Sequence, residues 1–124
     1  NCAQNTYFCP PLFSFYFLVW YNFNVSISPS QVVELVNDKF QGSFLDTEFY
    51  KLENDKSIYI NIYEKYFFRT NSNGAVILIC DDTTNITKVK LITSGTKSGL
   101  ASMDLGAANN LISSVREILE NYII

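Results

Sequence analysis

Residues 57–69 (SIYINIYEKYFFR) constrain the fold more than any other part of this chain, because two kinds of side chain alternate along them. A period of two is typical of a β-strand, in which successive side chains point to opposite faces of a sheet. One face of the predicted strand carries Ile58, Ile60, Ile62, Glu64, Tyr66 and Phe68, and the other carries Tyr59, Asn61, Tyr63, Lys65, Phe67 and Arg69. The chain therefore builds a sheet around this strand.

Two further strands follow after short turns. Residues 71–74 (NSNG) contain the Asn and Gly residues that accept positive φ, so they predict a hairpin turn into an apolar strand at 75–80. Residues 81–85 predict another turn, and residues 86–93 a third strand with Val89 and Leu91 inward. Successive tight turns make this three-stranded meander antiparallel.

A strand and a helix precede the meander. Residues 23–27 alternate apolar and polar side chains, which predicts a short strand. Ser28 then fits the N-cap of a helix, Pro29 its first position and Gln31 the third residue of a capping box. Gly42 is expected to end this helix. Residues 43–56 allow either a short irregular strand or a helical turn.

The last helix is predicted to begin at Ser102 or Asp104. Its apolar stripe consists of Ala108, Leu111, Ile112, Val115, Ile118, Leu119 and Tyr122. The order β-α-β-β-β-α, with two amphipathic helices that each need a sheet face to cover, predicts an α+β two-layer sandwich. We expect an antiparallel sheet of about four strands with both helices on one face, and residues 23–124 as a single domain.

Residues 1–22 carry no charge, and residues 12–21 (LFSFYFLVWY) are almost entirely apolar or aromatic. Because the only methionine is Met103, we expect the natural start to lie elsewhere. Three interpretations stay open: an extension outside the core domain, an aromatic arm that covers the sheet, or part of a membrane anchor. Membrane contact is expected only in the third case.

Composition narrows the classes of function. A net charge of −3 and a pI near 4.8 argue against a nucleic-acid-binding domain, which normally carries a basic face. The chain contains no histidine, which removes histidine acid–base catalysis, Ser-His and Cys-His nucleophile pairs and most zinc or iron sites. We therefore expect no catalytic residues, no metal and no cofactor, and an enzyme would have to use carboxylate, lysine or tyrosine chemistry.

The cysteines indicate a reducing compartment. Three cysteines cannot all pair within one chain, so we expect a cytoplasmic protein. Cys80 ends an apolar strand and is predicted to be a small buried hydrophobic residue. Asp81 and Asp82 lie at a turn, where Asp commonly bonds its own backbone, so they do not predict a catalytic pair.

The loop from Gly95 to Gly99 resembles an anion cradle in outline. It contains Lys97 and precedes a helix, and exposed backbone N–H groups near a helix N-terminus attract anions. The P-loop spacing is absent, and Asp104 at the helix start would repel an anion. An ordinary connection between two elements is the alternative.

Glu64 interrupts an otherwise apolar face of its strand. A buried carboxylate without a partner is costly, so we expect a bulge or edge position, a pair with Lys65, Arg69 or Lys97, or a functional acid. In a ligand-binding protein, Arg69 and Lys97 would hold an anionic group, and Glu64 or Asp104 would orient it.

The other face of the strand carries an aromatic row, Tyr59, Tyr63 and Phe67. Two helices cover only one sheet face, so this row is expected to meet another surface. Contact between copies of the chain, cover by residues 1–22 and a groove for a small ligand or peptide are the alternatives. Tyrosine suits an interface because its ring is apolar and its hydroxyl tolerates water.

Three blocks of this sequence resemble a known family: residues 64–69 (EKYFFR), the Ser94–Gly95 loop with Gly99, and residues 104–107 (DLGA). They are similar to a small-protein family of low-GC Gram-positive bacteria that is catalogued as a domain of unknown function. The resemblance covers residues 23–122, and it departs from the family pattern where Thr96 and Lys97 replace glycine and Leu105 replaces an aromatic residue. The resemblance implies a stand-alone cytoplasmic domain, and it does not imply any activity.

Together these features predict a non-enzymatic domain that self-associates or binds a partner through the row of Tyr59, Tyr63 and Phe67. The alternative function is binding of a small anionic ligand at the Gly95–Gly99 loop and the start of the last helix.

Overall fold

The computed structural model describes residues 6–9, 16–68, 71–96 and 105–124. Its strands and helices are β1 (Thr6–Cys9), β2 (Tyr16–Val25), α1 (Pro29–Lys39), β3 (Ser43–Lys51), β4 (Ser57–Phe67), β5 (Ser72–Asp81), β6 (Thr87–Thr96) and α2 (Leu105–Ile118). The strands form one sheet in the order β1-β2-β6-β5-β4-β3, and all neighbours are antiparallel. The predicted α+β class and antiparallel sheet are confirmed, with six strands in place of about four.

The two additional strands come from regions that the sequence left open. β3 covers residues 43–51, where the side-chain pattern allowed a strand or a helical turn, and β1 lies within residues 1–22. The strand predicted at 23–27 is longer and begins at Tyr16, because β6 runs to Thr96 and pairs with it along its whole length. The expected domain boundary between residues 22 and 23 therefore falls inside β2, and Val19 of that strand is buried.

Helix α1 begins where its capping residues predict. The backbone N–H of Gln31 donates to Ser28 Oγ at 3.3 Å, and the backbone N–H of Ser28 donates to Gln31 Oε1 at 3.0 Å. Pro29 occupies the first turn, where its missing N–H removes no helical hydrogen bond. Three valines of this helix, Val32, Val33 and Val36, enter the core.

Both helices pack on one face of the sheet, as predicted, but they cover the face opposite to the expected one. The covered face carries Tyr59, Asn61 and Tyr63, and the register aligns these residues with the buried side chains of the neighbouring strands. The core under the helices includes Val19, Phe23, Val25, Val32, Val36, Tyr63, Val76, Leu78, Cys80, Val89, Leu91, Ala108, Leu111, Val115 and Leu119.

The neighbouring strands explain this choice of face. Asn61 lies beside Leu78, which lies beside Leu91, so the tyrosine face of β4 continues as a buried apolar surface. Ile60, on the other face, is in register with Glu48 of β3 and through β5 with Lys90 of β6. The helices cover the side that carries no charged residue in the middle of the sheet, because burial of an unpaired charge is costly.

Neither helix in the described part of the chain combines the length and hydropathy that a membrane crossing needs.

Candidate functional site

The face of the sheet opposite the helices, here called the open face, is centred on isoleucine. It carries Ile58, Ile60, Ile62, Ile77, Ile79 and Ile92, with Trp20 from β2 beside them. These side chains are half-buried against one another, and neither α1 nor α2 covers them. β-branched side chains pack well on a pleated surface, so this face forms a continuous apolar centre outside the layer of α1 and α2.

Charged residues of opposite sign border this apolar centre on two sides. Asp46 and Glu48 of β3 lie along one side, and Lys88 and Lys90 of β6 lie along the other. One row across the sheet reads Glu48, Ile60, Ile79, Lys90 through successive strand pairs. Along this row the face is acidic at β3, apolar at β4 and β5, and basic at β6.

Lys90 lies across the open face. Its Nζ is 5.4 Å from the centre of the Trp20 ring on β2, and the side chain is half-buried. A lysine over an indole ring gains a cation–π attraction of about 0.5–1 kcal/mol at exposed sites. The ammonium group is thus held above the surface that the isoleucines form.

Strand β3 is the end strand of the sheet, and all of its residues are exposed. Its register with β4 shifts at Leu45, which marks a β-bulge. Phe44 and Phe49 contact the rings of Tyr63 and Tyr59 at centroid distances of 5.8 and 4.6 Å, yet each remains about half exposed. These two rings attach β3 to the edge of the core.

The predicted aromatic interface is wrong in its orientation. Tyr63 is 1% exposed, its hydroxyl donates to Asn37 Oδ1 at 2.5 Å, and its ring lies 5.2 Å from that of Phe40. Tyr59 and Phe67 are partly buried against the same core. The row faces α1 and α2, because register aligns it with the apolar side chains of β5 and β6, so Tyr63 cannot meet another molecule without opening the core.

A chain of hydrogen bonds passes through the buried side chains of Asn61 and Tyr63. Thr47 Oγ1 donates to Asn61 Oδ1 at 2.6 Å, and Asn61 Nδ2 donates to the Tyr63 hydroxyl at 2.9 Å. With the bond from Tyr63 to Asn37, the chain connects β3, β4 and α1. Burial raises the pKa of the Tyr63 hydroxyl. Every polar side chain in this chain of bonds has a partner, which makes it a structural network.

The residues predicted to bind an anion do not form a described site. Glu64 is half-buried at the end of the open face, and its carboxylate makes no hydrogen bond or ion pair with another described residue. Gly95 belongs to β6 and pairs with Phe17 of β2, so it lies in the sheet and not in the predicted loop. Arg69, Lys97, Gly99 and Asp104 lie outside the described residues.

A cleft of about 370 Å³ lies between the end of β4 and the first turn of α2. Its lining residues are Lys65, Tyr66, Phe67, Phe68, Gly106, Ala107 and Asn110. Lys65 Nζ donates to Asn110 Oδ1 at 3.5 Å and lies 5.7 Å from the centre of the Phe67 ring. The cleft places a cation beside the helix start at which the sequence predicted an anion.

The two adjacent aspartates and the buried cysteine have structural roles. Asp81 Oδ1 accepts from the Thr83 hydroxyl at 2.7 Å, and Asp82 Oδ1 accepts from the backbone N–H of Ser57 at 2.9 Å. These bonds confirm the turn predicted for the two aspartates. Cys80 is buried, and burial raises the pKa of its thiol to about 12, which keeps it protonated and unreactive. The described residues contain no cluster of three Cys, Asp or Glu side chains that would hold a metal.

The open face was missed because both faces of β4 look apolar in the sequence. A usable signal was present in β6, where Lys88 and Lys90 were expected to point outward. Register places Lys90 on the same face as Ile79 and Ile60. An outward lysine on β6 therefore predicts an outward isoleucine face on β4 and β5.

Comparisons with known proteins place the chain in a family. No curated protein and no solved structure matches it. A family model does match, over residues 20–123, and this range includes the 23–122 for which the sequence suggested a family of unknown function. That match covers most of the chain and all of α1, β3, β4, β5, β6 and α2. The chain belongs to the family whose model matches it, the family of unknown function DUF6054.

Proposed function

We propose that this chain is a non-enzymatic protein-binding domain and that its contact surface is the open face. The observation that supports the proposal is the patch of six isoleucines on three adjacent strands, outside the layer formed by the described helices. Contiguous apolar patches rimmed by polar residues mark interaction sites on soluble domains. The acidic and basic borders of this patch are the polar rim that such a site carries.

The size of the open face also supports contact with a protein. Five strands, β3 to β6 and β2, contribute to it. With about 4.8 Å between strands and about ten residues of 3.3 Å each, the face measures roughly 24 by 33 Å. A standard protein–protein interface buries ~800 Å² on each partner, which is the same order of area.

The chemistry of the surface favours binding over catalysis. Aliphatic side chains supply area that leaves water on contact, worth about 25 cal/mol per Å², and they carry neither a nucleophile nor a proton donor. The buried thiol of Cys80 keeps its proton, and the sequence provides no histidine. The open face is built to exclude water against a second surface.

The first test compares the open face with the core. We expect Ile60→Thr and Ile79→Thr to change the free energy of unfolding by about 1 kcal/mol or less, since threonine keeps the β-branch and the site faces outward. The core control Leu78→Ala is expected to cost about 2–5 kcal/mol. Unfolding in urea is followed by circular dichroism at two protein concentrations, because only stabilisation from association depends on concentration.

In the contrary outcome, both isoleucine variants lose as much free energy of unfolding as Leu78→Ala, and by the same amount at the two concentrations. This would show that the face is covered inside a single copy. That result would overturn the proposal.

The cleft at the start of α2 favours a second candidate function, the binding of a small anion. This cleft is lined by Lys65, Gly106 and Asn110, among others. We expect inorganic phosphate to shift the amide signals of Gly106 and Ala107 in heteronuclear NMR spectra, and Lys65→Gln to abolish the shift. Lys39→Gln on α1 is the matched control, and equal shifts in both variants would contradict this candidate.

A cytoplasmic location is part of the same proposal. Three cysteines cannot all pair within the chain, and Cys80 is a free, buried thiol. Fractionation of the native cells, followed by immunodetection, tests this location, and a signal confined to the membrane or the medium would refute it.

A further inference from the structure

We infer that the partner of the open face is a second copy of this chain, docked face to face about a two-fold axis that runs parallel to the strands between β4 and β5. The inference rests on the proposed function, because it needs the open face to be a contact surface. It follows from the order of charges in one row across the sheet, which is complementary to itself when the two-fold axis runs along the strands.

The row through Glu48, Ile60, Ile79 and Lys90 carries the argument. The four residues lie side by side on β3, β4, β5 and β6. Turned over about an axis between β4 and β5, the same row reads Lys90, Ile79, Ile60, Glu48. Each lysine of one copy then lies over the glutamate of the other, and each isoleucine lies over an isoleucine.

The charges also select this axis over the perpendicular one. A two-fold axis in the contact plane at right angles to the strands would place β3 over β3 and β6 over β6. The acidic side with Asp46 and Glu48 would then face the acidic side of the other copy, and the basic side with Lys88 and Lys90 would face the basic side, and opposed like charges disfavour an interface. The axis along the strands opposes Glu48 to Lys90. It places Asp46 over Ile92 and Lys88 over Tyr50, so these rows oppose no like charges.

The contacts tolerate the twist of real sheets. Two packed sheets rotate by about 30° relative to each other. Glu48 and Lys90 lie one and a half strand spacings from the proposed axis, or about 7 Å, where such a rotation displaces the two groups by only a few ångströms. Lysine and glutamate side chains are long enough to span this offset, and Lys90 already lies across the face above Trp20.

A second copy of this chain accounts for features of the open face that an unrelated partner does not explain. The apolar centre meets an apolar centre of the same shape, which is the condition for an isologous interface. The polar residues at the strand ends, Asp81 and Lys88, fall at the rim, where charged side chains stay in water. Each copy therefore presents the apolar centre and the charged residues that the other copy contacts.

The test uses charge reversal in the full chain, with oligomeric state measured by sedimentation velocity from micromolar to millimolar protein. We expect the natural sequence to form a dimer. Lys90→Glu and Glu48→Lys should each raise the dimer dissociation constant about tenfold or more, because each creates two like-charge contacts in a symmetric dimer. An equimolar mixture of the two variants should recover the dimer, since both contacts in the mixed pair are then opposite in charge.

Lys39→Glu and Glu34→Lys are the matched controls, because both residues are exposed on α1 on the far side of the sheet. They make the same changes of net charge and should leave the dissociation constant unchanged. Circular dichroism confirms that all variants fold.

The outcomes separate this inference from the proposed function. A natural chain that stays monomeric at millimolar concentration overturns the inference, while the proposed function is still decided by the isoleucine variants. A dimer that both reversals leave intact overturns the arrangement but keeps the contact surface. Weakening by each reversal without recovery in the mixture also overturns it, because the pairing of Glu48 with Lys90 would then be wrong.

Discussion

The Tyr63 hydroxyl donates a hydrogen bond of 2.5 Å to Asn37 Oδ1, and this contact attaches β4 to α1 at a side chain that is 1% exposed. The same hydroxyl accepts from Asn61, whose own oxygen accepts from Thr47 on β3. One phenol oxygen thus connects α1 to β4, and through β4 to β3, the end strand of the sheet. The aromatic row of β4 stabilises the monomer.

Replacement of this oxygen tests the role of the network. We expect Tyr63→Phe to lower the free energy of unfolding by about 1–3 kcal/mol, because Asn61 Nδ2 loses its partner at a buried site and the bond from β4 to Asn37 of α1 is lost. Tyr66→Phe is the matched control, since its hydroxyl bonds Asn71 at an exposed position. Urea unfolding followed by circular dichroism measures both, and equal small effects would contradict a structural role for Tyr63.

The buried thiol of Cys80 predicts a loss of stability at alkaline pH. Burial raises its pKa from 9.0 to about 12, so the folded chain keeps a proton that the unfolded chain releases. The unfolded state binds fewer protons above pH 9, and the contribution of Cys80 is therefore complete below about pH 9 and lost as the pH rises towards 12. Tyrosines titrate in the same range, so the comparison needs a variant without the thiol.

Cys80→Ala provides that comparison. We expect the free energy of unfolding of the variant to fall less steeply between pH 8.5 and 10.5 than that of the natural chain, within the range opened by the raised pKa. Parallel curves for the two proteins would rule out a raised thiol pKa in the folded state.

Gly42 predicts a steric effect. A Cβ at this position would overlap the backbone oxygen of Glu64 and lie 2.6 Å from Phe40 Cε2. We expect Gly42→Ala to cost about 1–3 kcal/mol, because backbone cannot move away as a flexible side chain can and the Phe40 ring is buried. Gln41→Ala, at the exposed neighbour, should stay within about 0.5 kcal/mol. Thermal unfolding measures both variants. An unchanged unfolding midpoint for Gly42→Ala would contradict the close approach of the backbone at this position.

The cap of α1 predicts a smaller effect. Ser28 Oγ accepts from the backbone N–H of Gln31, so Ser28→Ala should cost about 1 kcal/mol. Ser30→Ala removes an exposed hydroxyl that bonds Ser28 Oγ but caps no backbone N–H, so it should change stability by about a few tenths of a kcal/mol at most. If the two alanine variants unfold at the same urea concentration, the cap contributes nothing measurable.

Local features of the fold could be predicted from the sequence because each depends on a few adjacent residues. Ser28, Pro29 and Gln31 predict the start of α1, since capping is a contact between neighbours in the chain. The alternation along residues 57–69 and the turns after it predict β4, β5 and β6, since strand period and turn preference are also local properties. The class of the fold followed from these elements and their order.

The candidate site could not be predicted in the same way. Both faces of β4 are largely apolar, so the face that the helices cover depends on what register places beside it. On one face of the sheet, Asn61 shares its row with Leu78 and Leu91. On the other face, Ile60 shares its row with Glu48 and Lys90.

The sequence by itself determined α1, α2 and the meander of β4, β5 and β6, because those choices are made by neighbouring residues. The pairing of residues 16–22 with β6, the addition of β3 as an end strand and the choice of the buried face were decided only in the tertiary structure. The physical reason is that burial is a property of a whole sheet face. One strand contributes a single column to that face, and the charges on distant strands decide whether it meets a helix or stays open.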